Sequence, residues 1–113
     1  MGRRWGWVVA AGLLGCTPAL VRPDAEDVAW ASGQWAGTTL QDLESGRDRY
    51  VRRCAGCHTL YVPDAYPPAR WPHHVDTMAE RSRLAPGERD LIVRYLSVAS
   101  HRPASARLPA PAP

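Results

Sequence analysis

The chain has 113 residues, a length that allows one domain at most and a thin hydrophobic core. Its 14 basic residues are all arginine, and they nearly balance the 11 acidic residues once Arg3 and Arg4 are removed with the export signal described below. The absence of lysine and of a dense basic stripe argues against nucleic-acid binding. The three cysteines cannot all form disulfides with one another, so each thiol needs its own explanation.

The first 15 residues have the pattern of an export signal. Arg3 and Arg4 precede an apolar run from Trp5 to Leu14. This run is shorter than the roughly 20 apolar residues that a membrane-spanning helix needs. A transmembrane helix and a buried N-terminal helix are therefore the less favoured alternatives.

The signal ends in Leu13-Leu14-Gly15-Cys16, which resembles the lipoprotein box of bacterial lipoproteins. The resemblance implies cleavage before Cys16 and acylation of this residue, which would anchor the mature chain to a membrane. Thr17 lacks the acidic character of an inner-membrane retention signal. This favours the periplasmic face of the outer membrane over the inner membrane.

Residues 16–39 show no sustained periodicity and contain two prolines and two glycines. We expect this segment to be a loose tether that reaches tens of ångströms from the lipid anchor. Trp30 and Trp35 are unusual in a linker. We expect them to pack on the domain's surface or within a short helical turn, with docking of a partner as the alternative.

Apolar spacing predicts three helices between residues 40 and 101, and therefore an all-α fold. Thr39 and Asp42 form a capping-box pattern before the first helix, at residues 40–53. The second helix includes residues 71–78, and the third covers residues 86–99 with a proline at its first position. Residues 102–113 are rich in proline and alanine, so we expect a disordered tail. The predicted organisation is a signal (1–15), a tether (16–39), a helical domain (40–101) and a tail (102–113).

The strongest motif is Cys54-Ala55-Gly56-Cys57-His58. In a CxxCH motif the two thiols add to the vinyl groups of haem, and the adjacent histidine binds the iron. Cys54 and Cys57 are thus the predicted attachment points of one covalent haem c. His58 is the predicted proximal ligand of the haem iron.

Two other kinds of site use a CxxC pair, and both fit this sequence less well. A structural zinc ion needs four ligands, and only His73, His74 and His101 remain, without a recognisable second pair. A redox-active dithiol belongs in a βαβ context, which this helical pattern does not offer.

Met78 is the predicted axial ligand opposite His58. Met1 leaves with the signal, so Met78 is the only methionine of the mature chain. At helical spacing it shares one face with Trp71 and Val75, which directs it toward the interior. A methionine that only fills the core is the alternative interpretation.

A bis-histidine site through His73 or His74 is a further alternative for the iron. It would lower the reduction potential, whereas a histidine-methionine pair would raise it. With both axial positions filled by the protein, the iron has no open position for a substrate. This favours electron transfer over catalysis.

Two residue pairs add to the motif. Gly46 and Tyr50 precede it in the first helix, and Ile92 and Tyr95 lie in the last helix. With these pairs, residues 40–99 resemble a class I c-type cytochrome domain of the small bacterial type. The resemblance implies three helices around one haem and a close crossing of the first and last helices, which Gly46 permits because it has no side chain.

The resemblance also implies roles for residues that follow the motif. In that family a proline carbonyl accepts the proton of the proximal histidine, and Pro63 is the candidate here, with Pro67 less favoured. Trp71 is expected to contact the residues that bind the haem without binding the iron itself. The chain lacks the lysine ring of mitochondrial cytochrome c, so the docking face for a partner is not carried over. A local group of arginines in the first helix is expected to be a solvated face: Arg47, Arg49, Arg52 and Arg53.

The sequence therefore predicts a lipid-anchored, monohaem electron carrier that is not itself an enzyme. It would transfer single electrons between periplasmic or membrane redox partners. One alternative is a five-coordinate haem sensor or enzyme, in which His73 or His74 supplies a distal polar group. Another is a fixed electron-transfer subunit of a larger oxidoreductase.

Overall fold

The computed structural model describes residues 20–54 and 60–107, which form a helical domain without strands in these two ranges. The predicted all-α class is therefore confirmed. The four helices are α1 (Ala25–Gln34), α2 (Leu40–Cys54), α3 (Trp71–Ala79) and α4 (Pro86–His101). Three short 3-10 turns lie at Pro63–Ala65, Pro68–Arg70 and Ala104–Ala106. Within the described ranges no helix is long and apolar enough to cross a bilayer.

The predicted capping box at the start of α2 is confirmed. The Thr39 backbone N–H donates to Asp42 Oδ2 at 3.0 Å, and the Asp42 backbone N–H donates to Thr39 Oγ1 at 3.1 Å. Two backbone donors that a helix start leaves without partners are thereby satisfied. The helix then continues to Cys54, one residue beyond its predicted end.

Helices α3 and α4 also begin where their prolines predict. Pro72 lies in the first turn of α3 and Pro86 opens α4, positions where the missing N–H costs no helical hydrogen bond. Helix α4 extends to His101, two residues past the predicted end.

Helices α2 and α4 cross at Gly46. A Cβ atom built on Gly46 would lie 2.1 Å from the Leu91 carbonyl oxygen and 2.8 Å from Tyr95 Cβ. No larger residue fits without moving α4. Tyr50, Ile92 and Tyr95 are almost fully buried in one cluster at this crossing, which confirms the predicted close approach.

Helix α1 corrects the prediction of a loose tether at residues 16–39 for the part that the structure describes, residues 20–39. Asp24 caps this helix, with Oδ1 accepting from the backbone N–H groups of Glu26 and Asp27 at 3.0 and 3.2 Å. The Asp24 N–H donates in return to Asp27 Oδ2 at 2.9 Å, which completes a capping box. Ala31 of α1 is fully buried in a second cluster with Leu43 of α2 and Val98 of α4. The amphipathic signal of α1 is weak because its buried side chains are small or charged.

The two tryptophans of this region pack within the domain, as predicted. Trp30 stacks on His101 with ring centroids 4.3 Å apart, and Trp35 meets Trp30 edge to face at 6.3 Å. The Arg94 guanidinium lies 6.0 Å from the centre of the Trp35 ring. These contacts attach α1 to the C-terminal half of α4.

The prediction of a disordered tail at residues 102–113 is wrong for residues 102–107. Asp27 is only 2 % exposed, and the Arg107 guanidinium donates to both of its carboxylate oxygens at 2.7 and 2.8 Å. Arg102 pairs with Asp24 and Glu26 and lies 3.5 Å from Asp27. We call this group of two arginines and three carboxylates the terminal clasp. It holds the chain after α4 against the start of α1, although that chain has little apolar surface.

We expect Gly46→Ala to lower the free energy of unfolding by about 3 kcal/mol, because the added methyl group must displace the backbone of α4. Gly33→Ala is the matched control, since a Cβ there would meet nothing within 4 Å. The control should be neutral or stabilise the helix by about 0.5 kcal/mol. Urea denaturation followed by circular dichroism measures both variants, and equal stabilities would contradict the close crossing.

Asp27→Asn should destabilise the protein by about 2–3 kcal/mol, because it leaves two largely buried guanidinium groups without their shared carboxylate. Asp48→Asn serves as the comparison, since Asp48 makes an exposed ion pair with Arg52 on α2. Its removal should change the stability by less than about 0.5 kcal/mol. The same urea denaturation measures both, and a cost for Asp27→Asn no larger than that of the control would rule out a stabilising role for the clasp.

Candidate functional site

Cys54 is the last residue of α2 and lies half-buried against the main apolar cluster. The other two residues of the CxxCH prediction, Cys57 and His58, lie outside the described residues, as does the predicted lipid anchor Cys16. The structure therefore places the first of the two predicted attachment points and the elements on either side of the motif.

Helix α3 directs toward the interior the face that its helical spacing predicted. Trp71 is fully buried and Val75 is 3 % exposed, while Met78 at the end of the same face is half-buried. The helical spacing that selected Met78 from the sequence is thus confirmed. Its ligation of iron stays a prediction, because His58 is outside the described residues.

Pro63 and Trp71 are in direct contact. The Trp71 indole N–H donates to the Pro63 carbonyl oxygen at 2.9 Å, and both residues are buried. A carbonyl oxygen has two lone pairs, so the bond to Trp71 leaves one for a second donor such as the predicted His58. The contact also fixes the segment after the motif to the start of α3.

Tyr50 connects the chain before the motif to the chain after it. Its hydroxyl group donates to the Tyr61 carbonyl oxygen at 2.7 Å, which joins α2 to the chain beyond the motif. Burial raises the pKa of Tyr50, so the hydroxyl keeps its proton and remains a donor. The sequence identified Tyr50 as an aromatic residue of the helix crossing but gave no signal for this hydrogen bond.

The structure distinguishes the two adjacent histidines that the sequence left as alternative ligands. His73 is exposed, whereas His74 is half-buried and its ring lies 3.7 Å from that of Tyr66. His74 Nε2 is buried, and it has no hydrogen-bond partner in the part of the chain that the structure describes. Of the two, His74 is therefore the one with an available buried nitrogen.

An ion-pair network fixes the end of α2. The Arg53 guanidinium donates to both carboxylate oxygens of Glu88 at 3.1 and 3.2 Å, and Arg49 lies 4.0 Å from the same carboxylate. The hydrogen bonds from Arg53 are the main cause of a lowered pKa at Glu88. Since Glu88 is in the first turn of α4, this network links the two crossing helices next to Cys54.

Among the arginines of α2, Arg52 and Arg53 are exposed, as predicted for a solvated face, whereas Arg47 and Arg49 are half-buried. Each of the four has a partner. Arg52 pairs with Asp48 at 3.1 Å, and Arg47 donates to the Leu20 carbonyl oxygen at 3.2 Å. The carboxylates of Asp48 and Glu88 offset part of the positive charge of the face, whereas the Leu20 carbonyl carries no net charge. It offers only a weak positive patch to a partner.

The position of His101 argues against the zinc alternative. Glu88 contacts Arg53, the neighbour of Cys54, and His101 lies 13 residues further along α4. At a rise of about 1.5 Å per residue this places His101 about 20 Å away along the helix axis. The histidine also stacks on Trp30, so it cannot complete a metal site at Cys54.

Comparison of the chain with protein-family models, with curated proteins and with solved structures finds no match.

Wild type should be more stable than Glu88→Gln at pH 7, and this difference should disappear at low pH. The folded-state pKa of Glu88 lies below its ordinary value of 4.5, so its carboxylate stabilises the fold above that pH. The contribution is lost as the pH falls below 4.5 and Glu88 takes up a proton. Denaturation in urea at several pH values between 7 and 3 measures the effect.

Glu44→Gln is the matched control for this pH dependence. Glu44 is exposed on α2 and has no ion-pair partner within the described residues. Its variant should follow wild type at every pH. A difference between wild type and Glu88→Gln that stays constant from pH 7 to pH 3 would contradict the role of the carboxylate charge.

Proposed function

We propose that the chain is a lipid-anchored monohaem c-type cytochrome that transfers single electrons between redox partners at a membrane. The observation that carries the proposal is the CxxCH motif that begins at Cys54, directly at the end of a helix that crosses α4 at Gly46. The haem, when bound, supplies an iron centre that exchanges one electron at a time.

The surroundings of Cys54 support the fit of a haem. The cluster that Cys54 contacts contains buried aromatic and branched side chains, including Trp71, Val75 and Ile92. Leu60, just after the motif, and Leu84, between α3 and α4, pack on this cluster while remaining half-buried. Leu60 and Leu84 therefore keep apolar surface of the kind that a porphyrin ring would cover.

The proposed roles of the site residues follow from the CxxCH motif and from the helical spacing of Met78. Cys54 and Cys57 attach the group, and His58 and Met78 bind the iron from opposite sides. Tyr50 and the contact between Trp71 and Pro63, described above, hold the segments before and after the motif. A site held in this way limits rearrangement when an electron enters or leaves, which suits a carrier.

The class I cytochrome c fold is the finer proposal for this all-α domain. It is supported by the order of the elements: a first helix that ends at the CxxCH motif, a middle helix with Met78, and a last helix that crosses the first. Helix α1 is an addition that the resemblance did not imply. It covers the side of the crossing formed by Leu43 and Val98.

The location and partners follow from the sequence. The lipoprotein box at Cys16 supports export to the periplasm and membrane attachment, with the outer membrane favoured. The partners would be redox proteins. The near balance of arginine and acidic residues gives no reason to add a nucleic acid.

A five-coordinate haem sensor or enzyme is the second candidate, and one observation favours it. His74 Nε2 is buried without a partner among the described residues, so it could serve as a distal polar group. In that case Met78 would not bind the iron, and small ligands would have access to it.

Absorption spectra of the exported, haem-loaded protein distinguish these two functions. The oxidised wild type should show a weak band at about 695 nm, which marks methionine ligation and should be absent in Met78→Ala. His73→Ala is the control, because this exposed residue lies one turn earlier on the same helix. Its variant should keep the band.

Two results would contradict the proposed electron carrier. If the wild type lacks the band and its ferrous form binds carbon monoxide at once, Met78 is not a ligand and the sensor or enzyme gains support. If haem is lost from the polypeptide under denaturing conditions, attachment through Cys54 and Cys57 is wrong.

A further inference from the structure

The chain is fixed to the domain from Leu20 onward. The Tyr95 hydroxyl donates to the Val21 carbonyl oxygen at 2.9 Å, and the Arg47 guanidinium donates to the Leu20 carbonyl oxygen. Both Leu20 and Val21 pack against the main apolar cluster. Pro23 is buried next to them, so none of these residues serves as a flexible linker.

Little chain remains between this fixed point and the predicted lipid anchor. Only Thr17, Pro18 and Ala19 separate Cys16 from Leu20. Four residue steps span at most about 14 Å even when fully extended. A domain anchored at Cys16 must therefore lie on the bilayer, and the predicted reach of tens of ångströms is not available to it.

The surface around Leu20 is apolar. Leu20 and Val21 line a cavity of about 280 Å³ together with Val62, Pro63 and Ala99. Val62 is 38 % exposed, and its neighbour Tyr61 is 46 % exposed. Val62, one of the four large apolar side chains that are most exposed in the described ranges, thus lies beside Leu20, and the exposed Tyr61 precedes it in the chain.

We propose that this surface, formed by Leu20, Val21, Tyr61 and Val62, lies against the lipid bilayer. The inference rests on the proposed anchor at Cys16 but not on the haem. Tyrosine favours the boundary between headgroups and acyl chains because one end of its ring is polar. We call these four residues the membrane face.

The charges beside the membrane face suit a bilayer without net charge. Arg22 follows Val21 and lines a second pocket with Arg47, Glu44 and Asp48, while the exposed Asp64 lines the cavity beside Val62. These positive and negative side chains nearly balance, and they can remain among the headgroups while the apolar residues enter more deeply. Phosphatidylcholine vesicles are therefore a suitable probe.

Hydrogen exchange measured by mass spectrometry tests the proposal on the full haem-loaded lipoprotein in phosphatidylcholine vesicles. The reference is the same mature chain with Cys16→Ser, exported through a cleavable signal and free of lipid. Amides at residues 20–22 and 60–64 should exchange about threefold or more slowly on vesicles than in the reference. Amides at residues 86–90, at the other end of α4, should not change.

Two exposed valines provide a matched pair of variants. Val62→Glu places a charge on the membrane face and should remove most of the protection. Val51 is 37 % exposed, nearly the same as Val62, but does not line the cavity. Val51→Glu should therefore exchange like the wild type on vesicles.

Equal exchange of the vesicle-bound and lipid-free proteins at residues 20–22 and 60–64 would overturn the proposal, and would leave a protein partner as the occupant of this surface. Intact mass shows separately whether the chain carries acyl groups and haem. A chain without acyl groups would also overturn the proposal. Protection in an acylated chain without haem would support it while contradicting electron transfer.

Discussion

The contact of Gly46 with the backbone of α4 is the constraint on which the rest of the domain depends. Because no Cβ intervenes, α2 and α4 approach closely enough to bury Tyr50, Ile92 and Tyr95 together. This burial gives a small chain a core to which Trp71 and Val75 of α3 can add. The same crossing fixes the direction of α2 relative to α4, and so the position of Cys54 at the end of α2.

Much of this arrangement could be predicted because its signals are local. Helical spacing located both ends of α2 and α4 to within two residues, and it placed residues 71–78 in a helix. The Thr39 and Asp42 pair and Pro86 specify helix starts through contacts within one turn. The CxxCH motif is likewise local, since its spacing is determined by the chemistry of haem attachment. The crossing at Gly46 is a long-range contact, and it was predicted only through resemblance to a family.

The parts that sequence reasoning missed depend on contacts between distant residues. Helix α1 and residues 102–107 hold each other through Asp27 and Arg107, which are 80 residues apart. Both segments contain few apolar residues, so their composition suggested disorder. Composition alone gives no information about a buried ion pair. His73 and His74 are equivalent by position in the sequence, and only the packing of Tyr66 on one ring separates them.

The attachment of the first described residues has a mechanical consequence. Three consecutive carbonyl oxygens, of Leu20, Val21 and Arg22, accept hydrogen bonds from Arg47 of α2, Tyr95 of α4 and Arg107 of the C-terminal segment. A pulling force at the amino end is thus divided among three separate elements of the domain. These bonds resist together, and tension on the chain reaches the folded body of the protein before it reaches the start of α1.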